Sequence, residues 1–165
     1  RQGEKAKAFK ATEEAIDQML RDNAARQMTE IQKELKIDPT DSGLIYEEYK
    51  SGTGKLAKES DIVTFTYNAM LRSDVYSDFG RVFSDTNQIV NGQIIPVPIR
   101  MAVSEIKKVL PGLGEGLLLM KNGSKAELFM PPSIAYGAAG HYLARIPAHS
   151  VVIYDVQLKN VEPGE

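Results

Sequence analysis

From Glu4 to Lys36 the chain holds no proline, and alanine, glutamate, lysine, glutamine, arginine and methionine dominate, all residues that lose little rotamer freedom in a helix. Phe9, Ile16, Leu20, Ala24, Met28, Ile31 and Leu35 follow one another at steps of seven, four or three, so they line up as one apolar stripe. A lone helix cannot bury its own stripe. We expect a helical arm over residues 1–37 that pairs with a second copy of the chain through this stripe; the alternative is that the arm folds back on its own globular domain.

Asp38-Pro39-Thr40-Asp41-Ser42-Gly43 is a run of helix breakers that serves as a linker over residues 38–43. A second domain is expected over residues 44–165. Within it, Leu44 to Lys50, Asp61 to Leu71, Arg81 to Phe83, Ile99 to Val103, Lys125 to Met130 and Val151 to Val161 read as strands. The alternation in the second of these places Val63, Phe65 and Tyr67 on one face. Leu113, Leu117 and Met120, following Pro111-Gly112 and ended by Asn122-Gly123, give one short helix. The expected fold class is α+β, a twisted antiparallel sheet of about five strands wrapped on one short helix and preceded by the arm.

The 20 basic and 22 acidic residues leave a net charge of -2, which supplies no field for nucleic acid, so no nucleic-acid partner is expected. No cysteine exists to form a disulfide, a thiolate metal site or a nucleophile. Ser51-Gly52-Thr53-Gly54-Lys55 is not a phosphate loop, because Tyr49 stands where its first glycine belongs and Leu56 where a hydroxyl must reach magnesium. Gly112-Leu113-Gly114-Glu115-Gly116 lacks the spacing of a dinucleotide fingerprint and reads as a helix start with close packing. His141 and His149 have no acidic residue at metal-ligand spacing, so neither a metal nor a cofactor is expected. The chain opens on Arg1-Gln2-Gly3 inside a helical pattern, and an upstream segment carrying a signal peptide or lipid anchor is expected.

Tyr67-Asn68-Ala69-Met70-Leu71, Gly80-Arg81-Val82-Phe83, Val109-Leu110-Pro111-Gly112, Ala135-Tyr136-Gly137 and Ile153-Tyr154-Asp155-Val156 occur in this order. From Ser42 to Val161 the chain thereby resembles the FKBP-type peptidyl-prolyl isomerases. Ser42-Gly43-Leu44, Tyr46 and Gly52-Thr53-Gly54 behind a helical arm are similar to the bacterial macrophage-infectivity-potentiator branch. The resemblance implies a prolyl isomerase of the bacterial envelope, periplasmic or anchored to the outer membrane as a lipoprotein. It also implies a homodimer joined through residues 1–37, acting on proline-containing segments of client proteins, with a macrolide as a further ligand of the pocket.

The same resemblance places Tyr67, Phe83, Tyr136 and Tyr154 at the catalytic centre and Ile99, Val109, Leu110, Leu113, Ala135 and Ile146 around the substrate. His141 falls at the family's loop histidine without a catalytic role being assigned to it. Two positions depart from the family pattern. Ser84 stands where an aspartate usually orients a tyrosine hydroxyl, and the neighbouring Asp85 points to the opposite strand face unless the strand is bulged. Leu113 replaces the large aromatic that usually floors the pocket. A weakly active or inactive FKBP-like chaperone or peptide-binding module is therefore the alternative function, and an assembly component with a filled pocket is a third. The stretches Arg72 to Phe79 and Asp85 to Pro98 are longer than the compact family pattern, with Asn91-Gly92 as a turn signal.

Overall fold

The structure, a computed structural model, describes residues 2–72 and 82–164. Helix α1 (Gln2–Leu35) is continuous, in keeping with its unbroken run of helix formers. It ends where Lys36 turns to a positive φ of 57° and its N–H reaches the Gln32 carbonyl at 2.8 Å, a left-handed cap ahead of Pro39.

Strands β1 (Ile45–Lys50), β2 (Ile62–Leu71), β3 (Val82–Asp85), β6 (Ile99–Ala102), β7 (Lys125–Met130) and β8 (Val152–Glu162) form a six-stranded antiparallel sheet, one for each of the stretches read as strands. Its order is β1-β7-β8-β2-β3, and β6 pairs with the other half of the long strand β2. Strands β4 (Asn87–Val90) and β5 (Gln93–Pro96) make a separate hairpin, so the longer stretch from Asp85 to Pro98 has an ordered structure of its own. Asn91 and Gly92 both have positive φ, 52° and 76°, which gives the hairpin its tight primed turn. Arg81 lies outside the described residues, as does the other longer stretch apart from Arg72.

Two short helices, rather than one, fill the concave face of the sheet. Helix α2 (Val103–Val109) precedes α3 (Pro111–Leu117), with Pro111 at the start of α3, where its missing N–H costs nothing. The glycines of α3 serve close packing, as their spacing suggested: a Cβ on Gly116 would lie 1.9 Å from Leu128 Cδ2, and one on Gly114 2.1 Å from Lys107 Cγ.

Alternation sorts the strands between two cores. Ala126, Leu128 and Met130 of β7 and Val152, Tyr154, Val156 and Leu158 of β8 face α2 and α3, together with Leu113, Leu117 and Met120. Phe129 and Ile153 point the other way and, with Ile45 and Val151, receive the C-terminal half of α1 through Ala24, Met28, Ile31 and Leu35. That half of the stripe is thus covered by the chain's own sheet, the fold-back alternative. Phe9, Ile16 and Met19 on the outer half remain exposed at 67%, 49% and 60%.

A polar clasp adds to this docking. Asp17 accepts from Arg21 Nε at 2.8 Å and lies 2.6 Å from His149 Nε2 in the loop ahead of β8. The hydrogen bond to His149 is the largest influence on the Asp17 carboxyl; desolvation opposes it, the charge of Arg21 adds to it, and the carboxyl is held below its ordinary 3.8.

Two outcomes follow from this arrangement. Replacing Ile31, which is 1% exposed, by alanine leaves a cavity between α1 and the sheet, so Ile31→Ala is expected to lower urea-measured stability by about 2–5 kcal/mol. Because the folded protein depresses the Asp17 pKa, its contribution is present above pH 3.8 and fades as pH falls below it. Urea midpoints of the Asp17→Asn variant should therefore fall less than those of the parent between about pH 6 and about pH 3.

Candidate functional site

Strands β2 and β8 pair so that Tyr67 lies opposite Val156 and Ala69 opposite Tyr154, which sets the two tyrosines diagonally on the concave face. Their ring centroids are 5.1 Å apart, and Phe65 stacks on Tyr67 at 6.2 Å from below. Phe83 of β3 presents its ring edge-on to Tyr136 at 5.8 Å and to Tyr154 at 6.1 Å. Tyr136 comes from the turn after the short 3-10 segment Pro132–Ile134, and its ring meets that of His141 at 5.9 Å. Five aromatic rings from three strands and a loop thus form a continuous wall.

Four of these rings bound a cleft of about 200 Å³ lined by Phe65, Tyr67, Ile99, Met101, Ile106, Val109, Leu110, Leu113, Tyr136 and Tyr154; Phe83 packs on Tyr136 and Tyr154 but is not among the lining residues. Of the residues expected around a substrate, Ile99, Val109, Leu110 and Leu113 lie here. Val109 stands at the mouth and is 80% exposed, while Leu110 and Leu113 are buried in the base. Ile146 and Ala135 do not reach the cavity: Ile146 is buried in the main core, and Ala135 packs against that core from the loop carrying Tyr136. Phe65, Met101 and Ile106 are lining residues that motif reasoning missed. Phe65 shares the face of Tyr67 in the β2 alternation, and Ile106 falls three residues after Val103, so both had a periodic signal.

The polar atoms of the cleft are hydroxyls held in pairs. Tyr136 and Tyr154 share a 2.6 Å hydrogen bond, and the Tyr67 hydroxyl lies 2.9 Å from Ser84 Oγ. Burial first, and then the bond to Tyr136, push the Tyr154 hydroxyl well above the ordinary tyrosine range. Burial also raises Tyr136, with the Tyr154 bond opposing it. Either hydroxyl can donate in that pair; when Tyr154 donates, the Tyr136 O–H is free to meet a ligand carbonyl.

The departure at Ser84 now has a structural account. Strand β3 is bulged, with Met70 opposite Val82 but Ala69 opposite Ser84, and the serine is delivered to Tyr67 directly. Asp85 does not take over: it is exposed, and its Oδ1 accepts from the Asn87 N–H at 2.9 Å at the base of the hairpin. His141 has an exposed side chain whose Nδ1 accepts from the Ala144 N–H at 3.1 Å, while its backbone bridges Ile146. Among the described residues, no group of three or more acidic or histidine side chains converges on a metal-sized position.

The family model of FKBP-type peptidyl-prolyl cis-trans isomerases matches residues 54–159, which include every strand of the sheet except β1 and the last three residues of β8. The chain belongs to this family. It is 33% identical over 132 residues to the FKBP-type peptidyl-prolyl cis-trans isomerase FkpA of Escherichia coli K12, a match covering 80% of this chain and 43% of FkpA. It is 30% identical over 156 residues to a probable FKBP-type isomerase of Haemophilus influenzae, covering 94% of this chain and 58% of that protein. The chain thus spans about half the length of these relatives. The crystal structure of Escherichia coli FkpA superposes with a TM-score of 0.69 at 26% identity, covering 99% of this chain and 72% of that one.

In an FKBP-type cleft of this composition the Tyr67–Ser84 bond is a single neutral hydrogen bond, with a net worth of about 1 kcal/mol. Ser84→Ala should lower thermal or urea stability by about that amount, and Tyr67→Phe together with Ser84→Ala should cost no more than either alone, a coupling that a double-mutant cycle measures.

Proposed function

We propose that the chain is a peptidyl-prolyl cis-trans isomerase acting on exposed proline-containing segments of folding proteins. The observation that carries this reading is the aromatic-walled apolar cleft with the Tyr136 hydroxyl at its edge. Rotation about a peptide bond must cross about 18–20 kcal/mol because twisting destroys amide resonance. X-Pro bonds populate both isomers and exchange slowly, so a catalyst needs only to favour the twisted form. The twisted amide, with its carbonyl and nitrogen less conjugated, is less polar than the planar one. An apolar site therefore binds it better, and no bond has to be made or broken.

In this reading Tyr67, Phe83, Tyr136 and Tyr154 hold the prolyl ring, Leu113 and Leu110 support it from below, and Ile99 and Val109 flank the entrance. Ile146 and Ala135 act from behind, by fixing the loop that carries Tyr136. Ser84 orients Tyr67 in the family aspartate's place without a charge, and Leu113 gives a smaller floor than an aromatic would. Both favour an enzyme with weaker ground-state binding. A macrolide would compete for the same walls.

The division into an arm (1–37), a linker (38–43) and an isomerase domain (44–165) belongs to the same proposal. Docking of the inner half of α1 leaves Phe9, Ile16 and Met19 for a second copy of the chain. Residence in the bacterial envelope is part of the same proposal and rests on the resemblance to the macrophage-infectivity-potentiator branch. Among the described residues no helix is long and apolar enough to cross a membrane.

Exchange of a Leu-Pro peptide, followed by NMR or by a coupled protease, is expected to accelerate at micromolar protein. Phe83→Ala should cut kcat/KM about tenfold to a hundredfold, because it opens one side of the wall. Tyr136→Phe should cost less than Phe83→Ala, since it removes one hydroxyl and keeps the ring. No acceleration by the parent protein would reject the isomerase reading and leave a peptide-binding module. Sedimentation of a Phe9→Ser, Ile16→Ser, Met19→Ser variant tests the arm: the dimer is expected to fall to monomer, and an unchanged mass rejects it.

A further inference from the structure

The β4–β5 hairpin presents uncharged, largely apolar residues to solvent. From Thr86 to Ile99 there is no charged residue, in a chain that is 25% charged. Every residue of both strands is exposed, including Ile89 at 78% and Ile94 at 72%. Ile89 and Ile94 are cross-strand partners, so their side chains stand together on one side of the ribbon. Val90, Ile95 and Val97 add further exposed apolar surface. A two-stranded ribbon does not bury its own side chains, and among the described residues β4 pairs with β5 alone.

Two connections tie this ribbon to the cleft. At its base, the buried Thr86 donates its N–H to the Tyr67 carbonyl at 3.1 Å and accepts from the Tyr67 N–H through Oγ1 at 3.1 Å. The Val97 N–H then closes the base on the Thr86 carbonyl at 2.8 Å. Beyond it, β5 continues through Val97 and Pro98 into Ile99, which lines the cleft. Ile99 lies four positions after Ile95, a span of at most about 14 Å. An extended client segment crosses that distance in about four residues.

We propose that this hairpin is a second binding element for the same client chain, taking an extended, uncharged apolar segment close to the proline held in the cleft. This inference rests on the isomerase reading for its first contact. Continuity with the cleft rim and the absence of charge select the occupant: a stretch of non-native polypeptide rich in Val, Ile and Leu, rather than an acidic or basic ligand. Prolines would then be chosen by the apolar sequence beside them as well as by the residue before them.

The test compares the full-length parent with Ile89→Ser, Ile94→Ser, which leaves the Asn91-Gly92 turn and the cleft untouched. Three probes are used: a Leu-Pro tetrapeptide, a fourteen-residue peptide in which uncharged Val and Ile flank the same Leu-Pro, and that longer peptide with aspartates in the flank. Parent kcat/KM should be at least about tenfold higher for the apolar long peptide than for the other two. The double variant should lose that advantage and keep the tetrapeptide rate. An equal preference in parent and variant, or no preference in the parent, overturns the proposal. So does a fall in sedimenting mass on Ile89→Ser, Ile94→Ser, which would make a second copy of the chain the occupant. If even the tetrapeptide is not accelerated, the isomerase reading fails separately. Fluorescence anisotropy of the labelled long peptide then decides the hairpin: binding that weakens in the variant supports it, and equal binding overturns it.

Discussion

The antiparallel ladder between β2 and β8 is the constraint on which the cleft depends. It runs from Ile62 opposite Glu162 to Leu71 opposite Val152, and a shift between Thr64 and Phe65 sets the register of everything beyond. Because side chains alternate, a slip of one residue on β8 would send Tyr154, Val156 and Leu158 to the outer face and bring Ile153 and Asp155 inward. The aromatic wall is therefore a product of long-range pairing. Its members lie far apart in sequence and meet only when the central strands are joined.

Pairing also explains why the second core can exist. Phe129 and Ile153 occupy the positions that alternation turns away from α2 and α3, and a sheet with one solvated face would leave them wet. Helix α1 covers them. The sheet is thus a middle layer, with short helices on one side and a long one on the other.

Much of this was legible in the sequence because the patterns were clean. Alternation in residues 62–71 placed Val63, Phe65 and Tyr67 correctly, and the proline-free run marked α1 nearly to its ends. Helix α2 was not legible: only Val103 and Ile106 of its seven residues are buried, too few turns for a period to emerge, although the strand before it was read correctly but for Val103. The direction of the stripe on α1 was equally hidden. Periodicity shows that Ala24, Met28 and Ile31 share a side but not which surface meets them, and that depended on Phe129 and Ile153 being left over by the sheet. Ser84 shows a third kind of limit. Its identity alone suggested a lost interaction, yet the bulge in β3 brings a short hydroxyl near enough to serve Tyr67.

The half-docked arm has a mechanical meaning as well. Between Ala24, where the helix meets the sheet, and Phe9 there is neither glycine nor proline, and the axis advances about 22 Å. Such a shaft has no built-in joint. A load on its outer end is carried as by a rigid lever to the sheet, so a tilt of the arm and a tilt of the aromatic wall are one motion.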